Sequence, residues 1–516
     1  MIPRALSIVS RTPTRTIQSS PIQESECTPA PHYGKTGLVV QPVTIEKLPD
    51  EVLLEIFIQE REFALKRPSS GPWEWEWKRL AHVCQRWRSL VFASPRRLEL
   101  RLYYTYRKSI IQDSDLCCWP PFPIAIFYPQ SPPSETPDED NIIAALKHHN
   151  RVCEINFALT STLLEKSALL MQEPFPALEQ LRLESPDSAT GSLILPSAFL
   201  GGSAPRLREI HLDGITFPAL SQLLLSSTPR LVSLQLEKIP YAESFSPEVL
   251  VNGLSASTQL QCLKLHFIFP DTLPEQGDAR QLSNSPSYIN LSSLTEFQFK
   301  GTSGYLEVFV ARLDAPSLQQ FGITFFDQSV FEIPQLSRFI GRTERLKSPR
   351  KASLYFSVND VTITQLLESP YEPDPVLRIR LSCRDLGRKV ASIAHVCRQL
   401  FPFLLNVERL DIRAFRISSY RGQRHQSDPT QWLELFHSFQ GVKTLEVTTI
   451  LTSFVASALE HAARGINQDV FPALCDLHLD GPRESLSASI VKFTVARQFS
   501  GRPVSVRYSS EGDQGI

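Results

Sequence analysis

The histidine, cysteine and serine residues that could support catalysis or bind a metal do not form a recognisable site in this sequence. His82 stands close to Cys84, and His148 is followed by His149, but a metal site needs three or four ligands at defined spacing. The segment Gly201-Gly202-Ser203 lacks the Gly-x-Ser-x-Gly spacing of a nucleophile elbow. The phosphate-binding patterns Gly-x-x-x-x-Gly-Lys and Gly-x-Gly-x-x-Gly and the zinc pattern His-Glu-x-x-His are absent from the sequence as well. We therefore expect a non-catalytic chain that requires neither a metal nor a cofactor.

A Leu-x-x-Leu-x-Leu pattern recurs along the chain, and the polar residues between its apolar positions are better candidates for binding chemistry. The copies are Val152-Ile155-Phe157, Leu178-Leu181-Leu183, Leu207-Ile210-Leu212, Leu231-Leu234-Leu236, Leu260-Leu263-Leu265, Leu294-Phe297-Phe299, Leu318-Phe321-Ile323, Val407-Leu410-Ile412, Val442-Leu445-Val447 and Leu474-Leu477-Leu479. Apolar residues at i, i+3 and i+5 fit neither a helical period nor a simple alternating strand. They predict a short strand whose last two apolar residues point to one side, preceded by an anchoring residue from the incoming turn. Because one unit cannot bury its apolar face alone, the repetition predicts stacked units that share one elongated core.

Two columns of polar residues are predicted on the side of these strands that faces away from the core, because side chains alternate in direction along a strand. The first column is Gln180, Glu209, Ser233, Cys262, Glu296, Gln320, Arg409, Thr444 and Asp476. The second column is Arg182, His211, Gln235, Lys264, Gln298, Gly322, Asp411, Glu446 and His478. Their polar character and mixed sign favour a protein-binding concave surface over the basic stripe of a nucleic-acid binder. The candidate contacts to a protein target are Arg182, Glu209, His211, Gln235, Lys264, Gln298, Arg409, Asp411, Glu446 and His478. Only a minority of interface residues carry binding energy, so most of these side chains are expected to be solvated.

Segments with helical apolar periodicity lie between the strands. They are residues 217–226, 247–254, 304–313, 334–342, 388–405, 431–439, 454–463 and 487–499. Alternating strands and helices predict an α/β fold, in which a parallel sheet lines an irregular solenoid. The repeat is degenerate between residues 340 and 405, where Leu354-Phe356 and Leu377-Ile379-Leu381 are the candidate strands.

Two helices are predicted ahead of the repeat. The first begins near Pro49, whose missing N–H costs nothing in the first turn, and Asp50 and Glu51 follow at the positive end of the helix dipole. Its apolar stripe consists of Leu53, Ile56 and Phe57. The second helix is predicted over residues 75–92 and ends before Ser94-Pro95. Its apolar face consists of Leu80, Val83, Cys84, Trp87 and Val91.

These N-terminal residues resemble an F-box. The likeness rests on Leu48-Pro49-Asp50-Glu51-Val52-Leu53 followed by Val83-Cys84-Gln85-Arg86-Trp87, and with the repeats the chain is similar to the F-box/leucine-rich-repeat proteins of mushroom-forming fungi. The resemblance implies that the F-box docks onto the Skp-type adaptor of a Skp–cullin–F-box ubiquitin ligase, while the repeat domain holds a protein substrate. By position, it implies that Leu48 and Pro49 enter the adaptor groove. It also implies that the helical core and the adaptor contact share Leu53, Ile56, Phe57, Leu80, Val83, Cys84 and Trp87. The segment that contains Trp73, Trp75 and Trp77 departs from the family, because it is longer than the usual linker.

Length and composition set the remaining expectations. The 516 residues are 42% hydrophobic with a formal net charge of −1, which permits a large core and leaves no basic block for nucleic acid. No apolar run approaches the roughly 20 residues that cross a bilayer, so no membrane association is expected. The predicted organisation is a disordered leader (1–40), an F-box helical domain (41–100), a connecting segment and loop (101–140), the solenoid (141–508) and a disordered tail (509–516).

Cellular location is predicted from the cysteines and the leader. Nine cysteines without a Cys-x-x-Cys pair are typical of the reducing cytoplasm or nucleus, with Cys84, Cys262 and Cys397 as buried thiols. The leader has arginines but no acidic residue before Glu24, which fits either a solvated tail or a mitochondrial presequence.

Two functions from different classes therefore remain open. The first is the substrate-recognition subunit of a cullin-based ubiquitin ligase, which positions a target and performs no chemistry itself. The second is a non-degradative protein-interaction scaffold. Binding to a cullin-containing complex distinguishes these two. An enzyme on an α/β platform is a distant third, since it would require a converging nucleophile–base pair that the sequence does not offer.

Overall fold

The computed structural model describes residues 45–65, 76–95, 97–98, 100–104, 122–129, 138–186, 193–241, 245–269, 288–347, 349–366, 376–414, 428–464, 470–480 and 483–509. The chain divides into two compact units, Met1–Ile56 and Phe57–Ile516. The α-helices are α1 (Asp50–Leu65), α2 (Glu76–Val83), α3 (Gln85–Ala93), α4 (Glu139–Leu146), α5 (Ser161–Leu170), α6 (Leu220–Ser227), α7 (Pro247–Leu254), α8 (Ser303–Val310), α9 (Pro334–Arg342), α10 (Leu386–Gln399), α11 (Phe401–Leu404), α12 (Pro429–Phe436), α13 (Thr449–Arg464) and α14 (Arg483–Phe499). Short 3-10 turns cover Ile45–Lys47, Phe199–Gly202 and Thr228–Arg230.

Strands alternate with these helices through most of the second unit. They are β1 (Leu102–Tyr104), β2 (Ile124–Tyr128), β3 (Val152–Ala158), β4 (Gln180–Glu184), β5 (Leu193–Ile194), β6 (Glu209–Asp213), β7 (Ile215–Thr216), β8 (Ser233–Ile239), β9 (Cys262–Phe267), β10 (Ile289–Asn290), β11 (Glu296–Gly301), β12 (Leu313–Asp314), β13 (Gln320–Phe325), β14 (Lys351–Phe356), β15 (Asp360–Leu366), β16 (Leu377–Ser382), β17 (Arg409–Ala414), β18 (Thr444–Val447), β19 (Asp476–Asp480) and β20 (Ser505–Ser509). The predicted α/β class is confirmed.

One large, mostly parallel sheet organises the second unit. Among the described residues it has sixteen strands, in the order β1-β2-β3-β4-β6-β8-β9-β11-β13-β16-β15-β14-β17-β18-β19-β20. Every pairing in it is parallel except those of β15 with its two neighbours. The solenoid was expected to begin at residue 141, but the first strand of the sheet begins at Leu102. The strands β1 and β2 lack the repeat pattern and nevertheless pair with β3 in the same sheet.

The repeat pattern folds as the sequence predicts. In every copy but the first, the leading apolar residue lies just before its strand, as Leu178 does before β4 and Leu260 before β9. The two later apolar residues of each copy lie on the strand itself and are buried. The first copy differs because Val152 already belongs to β3.

Helices pack on the apolar side of the sheet. The ring of Phe309 on α8 lies 5.8 Å from that of Phe297 on β11, and Phe339 on α9 lies 5.6 Å from Phe321 on β13. These contacts belong to one continuous apolar core that extends from β1 to α14. The bounds of α7 and α9 match the predicted helices at both ends, whereas the predicted helix over residues 388–405 is divided into α10 and α11 at Leu400.

The chain reverses direction where the repeat is degenerate. The two candidate strands are present as β14 and β16, but β16 lies beside β13, and β14 lies beside β17. A tight turn at Ser357 joins β14 to β15, and its hydroxyl accepts hydrogen bonds from the backbone N–H groups of Asn359 and Asp360. So short a connection permits only an antiparallel pair, since a parallel pair requires a long crossover.

The predicted helix over residues 75–92 is wrong in one respect, because the chain forms two helices there. Cys84 separates α2 from α3 with an extended backbone (φ −157°, ψ 170°), and its Sγ accepts a hydrogen bond from Trp87 N at 3.5 Å. The thiol therefore caps α3 and is exposed, so the expectation of a buried Cys84 was wrong.

Several sequence predictions lie outside the described residues. These are the leader over residues 1–40, the tail beyond residue 509, and the side chains of Trp73, Trp75 and Trp77. Within the part of the chain that the structure describes, no helix is long and apolar enough to span a membrane.

Candidate binding face of the sheet

The polar residues of the repeat lie side by side on one face of the sixteen-stranded sheet, which we call the polar face. Arg182 is in register with His211, and His211 with Gln235, in successive parallel pairs. The second predicted column continues without interruption across the reversed segment. Its members in spatial order are Asn156, Arg182, His211, Gln235, Lys264, Gln298, Gly322, Arg378, Thr364, Ser353, Asp411, Glu446, His478 and Arg507.

The first predicted column is brought together in two parts. On one side of the reversed segment, its members in register are Gln180, Glu209, Ser233, Cys262, Glu296 and Gln320. On the other side, its members in register are Arg409, Thr444 and Asp476. The sequence columns therefore correspond to real rows of adjacent side chains.

Hydrogen bonds hold the N-terminal part of the polar face in place. His211 Nδ1 lies 3.3 Å from Gln235 Oε1, and Gln235 Nε2 donates to Ser233 Oγ at 3.1 Å. Burial and the nearby Arg182 guanidinium lower the pKa of His211, so the ring is neutral at neutral pH. A neutral imidazole here serves as a hydrogen-bonding group and adds no positive charge.

Glu296 organises the centre of the polar face. It accepts a hydrogen bond from Gln298 Nε2 at 2.6 Å and lies 3.6 Å from Lys264 Nζ. The Cys262 thiol donates to the same carboxylate at 3.5 Å. Burial and this negative charge raise the pKa of Cys262 to about 11, so the thiol stays protonated and is unsuited to act as a nucleophile.

Asp411 differs from the other predicted contacts, because its side chain is only 1% exposed. Three cations surround its carboxylate, namely Lys351 Nζ at 3.2 Å, Arg413 at 3.3 Å and Arg409 Nε at 3.5 Å. Arg409 also forms an ion pair with Glu446. The prediction that Asp411 contacts a target directly is therefore corrected: it orients the cations that reach the surface.

A groove of about 1390 Å3 lies on the polar face and extends from β8 to β16. Gly322 lies within it, where an added Cβ would meet only Gln298 Cγ, at 3.6 Å. Sequence reasoning missed all of the lysine and arginine residues that line the groove, which are Lys238, Lys300, Arg378, Arg380 and Arg384. The alternation of Arg378 and Arg380 with apolar residues predicted their strand. The position of that strand beside β13 depends on the chain reversal.

The predicted adaptor-binding residues divide between buried and exposed positions. Leu53 and Phe57 are buried, and the Phe57 ring lies 4.8 Å from that of Trp87. Val83 is 58% exposed and Ile56 is 41% exposed. Pro49 and Cys84 are also exposed, whereas Leu48, Leu80 and Trp87 are partly buried. The helical segments thus place some apolar side chains in solvent.

Comparison with known proteins adds no family assignment. No protein-family model matches this chain. No curated protein matches it in sequence.

Within the described residues, no group of three or more histidine, cysteine or acidic side chains could hold a metal ion. The polar face offers hydrogen-bond donors, acceptors and charges of both signs in fixed rows, which is the chemistry of macromolecular recognition.

Proposed function

We propose that the chain is the substrate-recognition subunit of a Skp–cullin–F-box ubiquitin ligase. The polar face binds a protein target. The N-terminal segment over residues 41–100, which we call the F-box-like segment, docks onto the Skp-type adaptor. A separate enzyme then transfers ubiquitin to the target, so this chain contributes proximity and orientation. The cytoplasm or nucleus is the expected site of action.

The observation that carries the target-binding part is the row of in-register residues across the polar face, which is polar on both sides of Gly322. Strand, turn and helix recur in step with the Leu-x-x-Leu-x-Leu pattern, which supports an irregular solenoid of the leucine-rich-repeat type. Such solenoids present extended binding surfaces, because each repeat adds one strand to the same face.

The adaptor-binding part is supported by apolar side chains that stay in solvent. Val83 ends α2 and is more than half exposed, although Leu53 and Phe57 of the same motif are buried. A short helical segment that leaves such side chains exposed gains stability when a partner covers them. The exposed residues Ile56, Val83 and Cys84 belong to the set that the F-box resemblance divides between the helical core and the adaptor contact.

Adaptor binding by the full chain tests this proposal. Separate Ile56→Asp and Val83→Asp variants, and a Leu48→Ala/Pro49→Ala variant, are compared with the parent chain by calorimetry against the purified Skp-type adaptor. Because both Asp substitutions are at exposed positions, we expect the fold to persist while a charge enters the contact, weakening binding by at least about tenfold.

The matched control is Leu169→Asp, which places the same charge on an exposed apolar position of α5 and should leave adaptor binding unchanged. Circular dichroism checks that every variant is folded. If the folded parent chain does not bind the adaptor, the ligase proposal is wrong, and a protein-interaction scaffold is the remaining function.

A further inference from the structure

The groove on the polar face, which we call the trough, has small residues on β13 between longer side chains on β11 and β16. Gly322 and Thr324 on β13 form its floor. Gly322 is in register with Gln298 and Arg378, and Thr324 is in register with Lys300 and Arg380. Neighbouring strands lie about 4.8 Å apart, so the long side chains of β11 and β16 stand roughly 10 Å apart across two small residues.

Three of the four acidic residues that line the trough have a lysine or arginine partner. Glu296 lies 3.6 Å from Lys264, Asp327 is 2.8 Å from Arg388, and Asp360 is 3.9 Å from Arg380. The last acid, Glu237, lies 3.9 Å from His266 Nδ1, and hydrogen bonding to His266 lowers the pKa of Glu237 to about 2.

Two cationic side chains of the trough have no ion-pair partner among the described residues. Lys300 and Arg378 are exposed, and neither forms an ion pair with another described residue. Arg380 Nε lies 3.9 Å from the carboxylate of Asp360, a long distance for an ion pair, and almost half of the Arg380 side chain is exposed to solvent. The trough therefore presents positive charge along both of its walls.

We infer that this trough binds an extended acidic segment of a protein partner, whose aspartate or glutamate side chains reach Lys300, Arg378 and Arg380. The inference rests on the proposed function and names the class of target segment that the polar face recognises. Opposite charges across such a contact would supply specificity and a faster association rate.

The spacing of the cations favours several carboxylates over one compact anion. Arg378 and Arg380 are alternate residues of β16, so they point to the same face about 6.6 Å apart. Alternate side chains of an extended peptide have the same spacing, whereas a single phosphate group is too small to contact both walls of a trough roughly 10 Å wide. An extended segment with acidic residues at alternate positions matches this arrangement.

An apolar rim adds a second element of recognition. Phe269 is 52% exposed and Ile268 is 45% exposed at one end of the trough. The Phe269 ring lies edge-on to Phe326 at 5.2 Å, which leaves its outer surface available. An apolar side chain next to the acidic residues of the bound segment would pack on this rim.

Fluorescence anisotropy with the full chain tests the inference. The probe is a fluorescein-labelled peptide of alternating glutamate and serine that ends in leucine, and a lysine–serine peptide of equal length is the control probe. We expect the glutamate probe to bind with an affinity that falls as salt is added, and the lysine probe not to bind. A phosphoserine peptide of equal length is the third probe.

Two variants locate the binding. Lys300→Glu/Arg378→Glu should weaken binding of the glutamate probe by at least about tenfold, through loss of attraction and added repulsion. Gly322→Leu should have a similar effect without any change of charge, because its side chain would fill the trough, where only Gln298 stands near the added Cβ. The matched control is Lys147→Glu/Arg338→Glu, which changes the net charge by the same amount. Lys147 directly follows α4 and Arg338 lies on α9, and both are exposed. This control should bind the glutamate probe as the parent does.

Equal weakening by the trough variants and the control variant would overturn the inference, because binding would then reflect net charge alone. Binding of the phosphoserine probe without the glutamate probe would also overturn it. Adaptor affinity, measured on the same preparations, separates the two proposals. If the adaptor binds and the glutamate probe does not, this inference fails and the proposed function stands.

Discussion

Single thiols differ sharply in accessibility, which makes them useful reporters of this structure. Cys84 and Cys475 are exposed, whereas Cys397 is completely buried. Burial raises the pKa of Cys397 far above that of an ordinary thiol, and it raises the pKa of Cys383 to about 11. Only the thiolate reacts rapidly with labelling reagents, so Cys84 and Cys475 should react before the other four cysteines that the structure describes.

Two glycines show how much one methyl group can change the free energy of unfolding. A Cβ at Gly441 would lie 2.1 Å from the carbonyl oxygen of Leu405, so the backbone must move to accept Gly441→Ala. We expect this substitution to lower the free energy of unfolding by about 1–3 kcal/mol, the usual range for overpacking. Denaturant unfolding followed by circular dichroism measures the change.

Gly304→Ala is the matched control for that prediction. Gly304 lies in α8 with nothing within 4 Å of an added Cβ, so alanine should raise the free energy of unfolding by up to about 1 kcal/mol. Equal destabilisation by both substitutions would contradict the close approach of Gly441 to Leu405.

At the scale of elements, the antiparallel strand β15 is held by a buried lysine of α10. Lys389 has no exposed surface, and its Nζ donates to the carbonyl oxygens of Ser357 at 2.8 Å and Val358 at 2.9 Å. These carbonyl groups belong to the turn between β14 and β15. The lysine therefore fixes the turn that brings β16, with Arg378 and Arg380, beside β13.

Lys389→Met should destabilise this turn, because the carbonyl groups of Ser357 and Val358 lose their hydrogen bonds to the lysine ammonium. The expected cost is about 1.5–3 kcal/mol, the usual range for a hydrogen bond to a charged group. Hydrogen exchange should become faster in residues 351–366. Arg398→Met on the same helix is the control, since its exposed ion pair with Glu434 contributes at most about 1 kcal/mol. Unchanged exchange in Lys389→Met would contradict this role of the lysine.

The strands and helices of the regular repeat units could be predicted from the sequence, since local apolar spacing determines them. The column that contains His211 and Gln235 was predicted for the same reason, because each repeat adds its strand in the same register. The order β13-β16-β15-β14 could not be predicted. It depends on the short turn at Ser357 and on Lys389, which is distant from that turn in sequence. Arg378 and Arg380 were missed for this reason.

At the scale of the whole molecule, the chain combines a polar sheet face, proposed to bind a target, with helical segments that expose apolar side chains, proposed to bind the adaptor. A ligase receptor needs both functions in one chain, because its effect comes from holding a target close to a second enzyme. The polar face and the F-box-like segment can be tested separately, since substitutions at Val83 and at Gly322 concern different helices and strands.

Protection of Cys84 by the adaptor is the most direct test of the central claim. The full chain is labelled with a thiol reagent with and without the Skp-type adaptor, and each cysteine is quantified by peptide mass spectrometry. We predict that the adaptor slows labelling of Cys84 and leaves labelling of Cys475, which is also exposed, unchanged. Unchanged labelling of Cys84 at a saturating adaptor concentration would contradict docking through the F-box-like segment, and with it the assignment to a ubiquitin ligase.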